Sequence, residues 1–251
     1  MSSLLSAQES LQPRKLVDAH TAGVLPRSHY DLECRFYPMG GMMMGLNVGI
    51  TDRFTVGLSY GGEGIIGRRN YINWNNYPGV LVKYRLFEER FITPALTLGY
   101  DHQGHGGSAS RGEFGYDGYI FKSPGFFGAL SKNYIMLNIV QIGVHGTANY
   151  SLEGRDSVNW PNVMIGFDIT INDELMLVTE YDFAWNDKTG SKERYYSRGF
   201  FNVGLRWAFS NNFQLGLDVK DIFETKMRGP DGAKRENGWS RELKVLYSSK
   251  F

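Results

Sequence analysis

Residues 201–220 read FNVGLRWAFSNNFQLGLDVK, and this stretch decides the fold. On either side of the polar triplet Ser210-Asn211-Asn212, bulky apolar side chains alternate with small or polar ones. A period of two is typical of a half-buried β-strand, and a short run of turn-forming residues between two such segments is typical of a hairpin. The stretch therefore predicts two antiparallel strands joined by a tight turn.

The same alternation recurs along the chain and predicts about twelve strands. Short polar turns and longer loops alternate between these strands. The predicted short turns lie at 51–53, 88–90, 131–133, 172–173 and 210–212. The predicted longer loops lie near 62–76, 102–117, 146–158, 186–195 and 223–238. This parity predicts an all-β fold, a single antiparallel barrel over residues 29–251, with residues 1–28 as an N-terminal leader or linker segment.

The length of the predicted strands and the residue types on their two faces favour a transmembrane barrel over a soluble one. The predicted strands have roughly ten residues, which is what a tilted strand needs to cross a bilayer. Glycine, asparagine, threonine and isolated charges alternate with the bulky apolar residues, which suits a polar interior and an apolar exterior. A β-propeller has a similar repeat length, but each blade needs four short strands, whereas each repeat here holds two longer ones.

Composition excludes several classes of protein. The 27 Lys and Arg residues nearly cancel the 26 Asp and Glu residues, whereas a nucleic-acid-binding surface needs a basic excess. The mean hydropathy is −0.33, and no run approaches the length of a transmembrane helix. The single cysteine, Cys34, allows neither an internal disulfide nor a thiolate zinc site, and we expect no cofactor. Residues 1–28 lack the apolar core of a secretory signal peptide.

The C-terminal strand carries a further signal. Leu243, Val245 and Tyr247 alternate toward Phe251, the last residue. With the turn parity, this ending resembles bacterial outer-membrane β-barrel proteins, over roughly residues 29–251. The resemblance implies short periplasmic turns, longer extracellular loops, contact with outer-membrane lipid, and an assembly signal in those four residues that the barrel assembly machinery reads. Because a signal peptide is missing from residues 1–28, this location assumes a mature chain.

A second, shorter resemblance concerns residues 122–132, KSPGFFGALSK. This segment is similar to segments of lipoprotein-associated barrels that are linked to exopolysaccharide export. It implies a protein or polysaccharide partner for the barrel.

Charged residues occupy many positions on the face that alternates with the apolar one. Counted from the predicted turns, several of them fall at similar heights on neighbouring strands, and both signs occur. The predicted lumen charges are Arg35, Lys83, Arg85, Glu180, Asp182, Arg206, Asp218, Lys220, Glu242 and Lys244. Opposite charges on facing strands attract each other. The set therefore predicts a salt-bridged, largely plugged lumen, with the lining of a selective pore as the alternative.

The stretch Asp101-His102-Gln103-Gly104-His105 opens a predicted long loop. One carboxylate and two imidazoles can bind a metal ion or act as acid and base. A glycine-rich outer loop also carries such polar residues without binding anything, so we expect no metal site and keep Asp101, His102 and His105 as weak candidates. Ser108 and Ser110 supply the residue type of a hydrolase nucleophile, but without a catalytic signature. We expect no catalytic residues and no enzyme.

These features together predict an outer-membrane β-barrel that acts as a structural component or in assembly or export, without nucleic acid. The alternative is a small substrate-selective channel for polar solutes. A barrel hydrolase is a third and weaker interpretation.

Overall fold

The chain is described by a computed structural model that covers residues 13–67, 72–105, 119, 121–136, 140–153, 160–171, 174–186, 199–223, 227–228, 234–235 and 240–251. Its regular elements are β-strands throughout these ranges. They are β1 (His29–Tyr37), β2 (Gly41–Thr51), β3 (Phe54–Glu63), β4 (Asn73–Trp74), β5 (Gly79–Phe87), β6 (Ala95–Asp101), β7 (Gly125–Met136), β8 (Val140–Tyr150), β9 (Asn162–Ile171), β10 (Leu175–Asp182), β11 (Phe200–Ala208), β12 (Phe213–Lys220), β13 (Met227–Arg228), β14 (Lys234–Arg235) and β15 (Ser240–Lys250). No helix within the described ranges is long and apolar enough to span a membrane.

The twelve long strands close into one antiparallel barrel. Each strand pairs with its neighbours in the chain, with the short β4 lying against the edge of β3, and β1 pairs with both β2 and β15. Pairing of β2 with β3 and of β12 with β15 completes the ring. The structure therefore confirms the predicted twelve-stranded all-β barrel. Closure leaves no unpaired edge among these strands, as a barrel in lipid requires.

The connections divide the barrel into two ends. We call one the turn end, with short connections at 52–53, 88–94, 137–139, 172–174 and 209–212, and both ends of the barrel domain lie there. The other is the loop end, with connections at 38–40, 64–78, 102–124, 151–161, 183–199 and 221–239. All but the first of these are longer than ten residues, as the parity predicted.

The predicted turn at 131–133 is wrong. Strand β7 continues through these residues to Met136, and Ser131 pairs with His145 of β8. Ser131 faces the barrel interior, like Phe127 and Ala129 before it, so its polarity reflects the lumen-facing side and not a turn. Predicted turn residues 172–173 and loop residues Ser108 and Ser110 lie outside the described residues.

The outer surface of the barrel is apolar in its middle and aromatic at its ends. Leu205 and Leu217, on neighbouring strands, are 39% and 52% exposed, whereas Asp218 is 2% exposed. At the turn end, Phe213 lies 4.8 Å from Tyr247 between ring centroids, and at the loop end Tyr60 stacks on Trp74 at 5.7 Å. A band of exposed aliphatic residues between two aromatic girdles is the surface that suits the hydrocarbon core of a bilayer.

Candidate functional site in the barrel lumen

The described part of the N-terminal segment lies inside the barrel, which differs from the predicted leader or linker. Residues 13–25 form a compact hairpin, hereafter the lumen hairpin. The backbone N–H of Leu16 donates to the carbonyl of Ala19 at 2.9 Å, and Thr21 N–H donates to Arg14 O at 3.2 Å. Leu16, Val17, Ala19 and Thr21 are at most 2% exposed. Residues 1–12 of the predicted linker lie outside the described residues.

The tip of the lumen hairpin binds Glu180 on β10. Three consecutive backbone N–H groups, those of Val17, Asp18 and Ala19, donate to Oε2 of Glu180 at 3.1, 2.8 and 2.7 Å. The second carboxylate oxygen accepts from Asn202 Nδ2 at 2.9 Å. A turn whose successive N–H groups converge on one oxygen is an anion-binding nest. Glu180 thus holds the hairpin tip through its backbone.

The side chain of Asp18, at the same tip, lies between two buried cations of the barrel wall, one on β1 and one on β12. Its carboxylate accepts from Arg35 Nη2 at 2.6 Å and forms a close ion pair with Lys220. Although burial acts to raise it, the charges of Lys220 and Arg35 hold the pKa of Asp18 well below its usual range. Asp18 is therefore ionised, and the hairpin tip carries a negative charge into the lumen.

Lys83 on β5 holds the hairpin from another wall. Its ammonium donates to three backbone carbonyls, those of Arg14, Thr21 and Gly23, at 3.1, 3.1 and 2.7 Å. The side chain is 1% exposed. A buried ammonium with three donors needs three acceptors, and the hairpin backbone supplies them. Arg85 on the same strand donates to the carbonyl of Ala22 at 3.3 Å.

Two further wall cations bind the hairpin and share one carboxylate. Arg206 donates to the carbonyl of Leu16 at 2.8 Å, and Lys244 donates to the carbonyl of Val17 at 2.7 Å. Both cations also contact Asp218, with N–O distances of 2.5 and 2.9 Å. Each cation therefore ties a wall carboxylate to the hairpin backbone.

The predicted lumen charges all face inward, and six of them form direct ion pairs between neighbouring strands. The direct wall-to-wall contacts include Arg35 with Glu242 at 2.5 Å and Lys220 with Glu242 at 3.3 Å. Arg206 and Lys244 pair with Asp218 in the same way, whereas Lys83, Arg85 and Glu180 bind the hairpin backbone. Asp182 accepts from Asn162 at 2.7 Å and from Ala184 N–H at 2.8 Å near the loop end.

Sequence reasoning missed the hairpin's own polar groups. Asp18, Lys15 and His20 lie in a segment without strand periodicity, and the prediction treated that segment as outside the barrel. Lys15 and His20 both contact Asp101, at 2.7 and 3.0 Å. The apolar pair Leu16-Val17 beside Asp18 was the available signal for burial, because an exposed linker is typically polar.

The weak metal candidates Asp101, His102 and His105 do not form one site. Asp101 is bound by Lys15 and His20, whereas His102 stacks on Tyr100 at 6.2 Å between centroids. His105 points to a different cluster, with Nε2 at 3.1 Å from Glu242. Alternation at the end of β6 turns His102 away from Asp101, whereas Asp101 and His105 are both buried and bind different partners.

His105, Glu242 and Asp18 do present ligand atoms within 4.8 Å of one another. The ammonium of Lys220 already lies among these atoms, at 3.1 Å from His105 Nε2 and 3.3 Å from Glu242 Oε1. A lysine ammonium in this position supplies the positive charge that a metal ion would bring, so the cluster is an ion-pair network in this structure.

A serine, a histidine and an aspartate line up on the wall beside the hairpin. Ser131 Oγ is 2.7 Å from His145 Nδ1, and His145 Nε2 is 2.6 Å from Asp168 Oδ1. Ser131 Oγ also accepts from the backbone N–H of Ala22 at 2.8 Å. These are the residue types of a hydrolase triad.

The orientation of this triplet favours an anchor for the hairpin over a nucleophile. An N–H bond directed at Oγ places that oxygen in the plane of the Thr21–Ala22 peptide, whereas attack on a carbonyl carbon comes from above the plane. A continuous chain of hydrogen bonds connects Ala22 N–H through Ser131 and His145 to Asp168. The triplet thus transmits the charge of Asp168 to the hairpin backbone.

Two cavities lined by described residues adjoin the hairpin. One, of about 760 Å³, extends beside it to the turn end and is lined by Arg14, Glu33, Met43, Arg206 and Phe213 among others. The other, of about 60 Å³, lies on the loop side of Asp18. The larger volume matches that of small-molecule pockets, and the smaller one has room for a few water molecules.

No protein-family model and no curated protein matches the chain. Among solved structures, a KdgM porin is similar over 87% of this chain and 98% of its own, with a TM-score of 0.48 and 9% identity. A NanC porin is similar over 88% and 99%, with a TM-score of 0.45 and 8% identity. Omp33 of Acinetobacter baumannii, an outer membrane protein, is similar over 89% and 97%, with a TM-score of 0.44 and 6% identity. Similarities this weak carry no argument, so the barrel is established by the strand pairing of this chain itself.

Proposed function

We propose that this chain is a bacterial outer-membrane β-barrel whose lumen is closed by its own N-terminal hairpin, and that it acts as a structural or assembly- or export-associated component. Support for the location comes from the closed ring of twelve strands and from the apolar outer band with aromatic ends. In this proposal the turn end faces the periplasm and the loop end faces outward. Phe251 and the alternating residues before it remain the predicted signal for the assembly machinery.

One observation carries the closed lumen: opposite walls of the barrel bind the backbone of the same short hairpin. Lys83 on β5 binds the carbonyls of Thr21 and Gly23, and Glu180 on β10 binds the N–H groups at the tip. Thr97 and Ser131, on β6 and β7, bind the carbonyl and the N–H of Ala22. A segment held in this way from several directions blocks the axis of a small barrel.

A barrel without a through-pore conducts no solute, so its function depends on contacts made by its exposed surfaces. We therefore place the partner, a protein or a polysaccharide, at the connections of the loop end, and no nucleic acid is involved because the net charge is only +1. Outer-membrane lipid covers the apolar band.

The second candidate function is a small channel for polar solutes. The cavity of about 760 Å³ beside the hairpin favours it, because this volume adjoins the turn end. In that case the hairpin would narrow the lumen and select solutes without closing it.

Planar-bilayer recording separates the two functions. A closed lumen predicts that the full chain passes no steady current, and that Lys83→Met, which leaves three hairpin carbonyls without their donor, produces openings. Arg53→Met, at an exposed ion pair with Glu88, is the matched control and should behave as the wild type. A steady wild-type current equal to that of Lys83→Met would instead establish the channel.

A further inference from the structure

The carboxylate of Asp18 occupies a pocket that the barrel builds without the hairpin. Arg35 on β1 and Lys220 on β12 supply the cations and are 4% and 1% exposed. Both are fixed by Glu242 on β15, through Arg35 Nε at 2.7 Å and Lys220 Nζ at 3.3 Å. The wall therefore holds two preoriented donors whatever occupies the position of Asp18.

The charges of this pocket balance only when a carboxylate from elsewhere is present. Arg35 and Lys220 bring two positive charges, and Glu242 brings one negative charge. Asp18 supplies the fourth charge, and it comes from the hairpin instead of the wall. A buried cation without a counter-charge is unfavourable. When Asp18 leaves the wall, binding of another anion in its place is therefore favourable.

The small cavity on the loop side adds an independent observation. It is lined by Asp18, Arg35 and His105 and also by Asn149 and Asn162. Asn149 is 5% exposed, and its Oδ1 has no hydrogen-bond partner in the described part of the chain. A buried carbonyl oxygen without a donor, in a cavity that Asp18 and Arg35 also line, suits a solute that carries a carboxylate and a donor group.

We infer that the Arg35–Lys220 pocket is a binding site for small carboxylate-bearing solutes and that Asp18 is its built-in occupant. A solute carboxylate replaces Asp18 between the two cations, and its polar remainder extends toward Asn149. Binding then releases the hairpin tip and opens the lumen. The release step rests on the proposed closure by the hairpin, whereas the binding site itself does not.

Calorimetric titration of the purified full-length protein with succinamate, which carries one carboxylate and one amide donor, tests the site, with the neutral isostere succinamide as the matched probe. Asp18→Asn removes the built-in carboxylate and keeps the shape of the side chain. We expect this variant to bind succinamate about tenfold more tightly than the wild type, because the internal competitor is gone. Succinamide should bind to neither protein, and Glu88→Gln, an exposed charge at the turn end, should match the wild type.

Equal succinamate affinity in the wild type and in Asp18→Asn would overturn the inference, and so would equal binding of succinamide. If Asp18→Asn does not fold, the wild type alone decides, because succinamate should increase its bilayer current and succinamide should not. A wild type that is open without any additive contradicts the proposed closure but leaves the binding comparison intact. A closed wild type whose Asp18→Asn variant binds no more succinamate contradicts the carboxylate site alone.

Discussion

The imidazole of His20 stacks on the ring of Phe127, with centroids 3.9 Å apart and ring planes inclined by 1°. His20 belongs to the lumen hairpin and Phe127 to strand β7. Gly99 on β6 makes this contact feasible, because a Cβ at that position would overlap the Phe127 ring. The wall is therefore shaped to the hairpin by packing as well as by charge.

Glu180→Met should release the hairpin tip. The substitution keeps most of the side-chain volume but removes the acceptor of three backbone N–H groups. Each buried donor left without a partner costs about 1–3 kcal/mol, so we expect frequent openings in planar-bilayer recordings. Glu88→Met, at an exposed position, is the control. Identical recordings from the two variants would show that Glu180 does not hold the tip.

Acid should loosen the hairpin through His20. Burial, followed by the charge of Lys15, lowers the pKa of His20 from 6.5 to about 3, so the folded state keeps the ring neutral. A released His20 has its ordinary pKa and takes up a proton first, so the stability of the bound hairpin falls as the pH drops below 6.5 and toward 3.

The charged groups that face His20 are Asp101, Lys15 and Lys83. Bilayer current should rise near pH 4 relative to neutral pH, and His20→Asn should reduce that rise. A current that does not depend on pH in both proteins argues against this role.

Gly204→Ala should destabilise the barrel more than Gly146→Ala. A Cβ at Gly204 would overlap Oδ1 of Asp218 and lie 2.8 Å from Nη1 of Arg206, whereas nothing lies within 4 Å of a Cβ at Gly146. The first substitution must displace a buried ion pair, and overpacking of this kind costs about 1–3 kcal/mol. Urea unfolding of the two variants in detergent measures the difference. Equal urea unfolding midpoints for the two variants would mean that the Asp218–Arg206 ion pair can move aside without a loss of stability.

Leu205→Arg and Leu217→Arg should hinder insertion into lipid. Both side chains lie on the apolar outer band of neighbouring strands. An arginine near the midplane of a bilayer costs about 2–4 kcal/mol, and Asn211→Arg, in an exposed turn, should cost little. Folding yields into vesicles compare the three. Equal tolerance would indicate that the band does not contact lipid.

The barrel could be predicted from sequence because its strands follow one local rule. The alternation around Leu205 and Leu217 separates the two faces of a strand, and strand length and turn parity then define a closed ring. Ser131 shows the limit of that rule, because a polar residue in a lumen-facing position reads like part of a turn. Its pairing with His145 of β8 and its contact with the hairpin distinguish the two interpretations.

The lumen hairpin could not be predicted, because its contacts join residues far apart in the chain. The backbone of Val17 meets Glu180, and the carbonyl of Gly23 meets Lys83. A segment that bonds through its backbone leaves little pattern in its side chains. The charged wall residues were identified from their alternation, but their partner inside the barrel was missing from the prediction.

The reactivity of a thiol at the hairpin tip tests the central claim most directly, namely that the hairpin fills the lumen. Ala19 is 2% exposed, and Ala19→Cys in a Cys34→Ser background places one thiol there. With a membrane-impermeant maleimide and protein in vesicles, we expect this thiol to react at least about tenfold more slowly than the thiol of Ser210→Cys in the exposed turn. Adding Lys83→Met should bring the two rates together. Equal rates without that substitution would contradict a hairpin held inside the barrel.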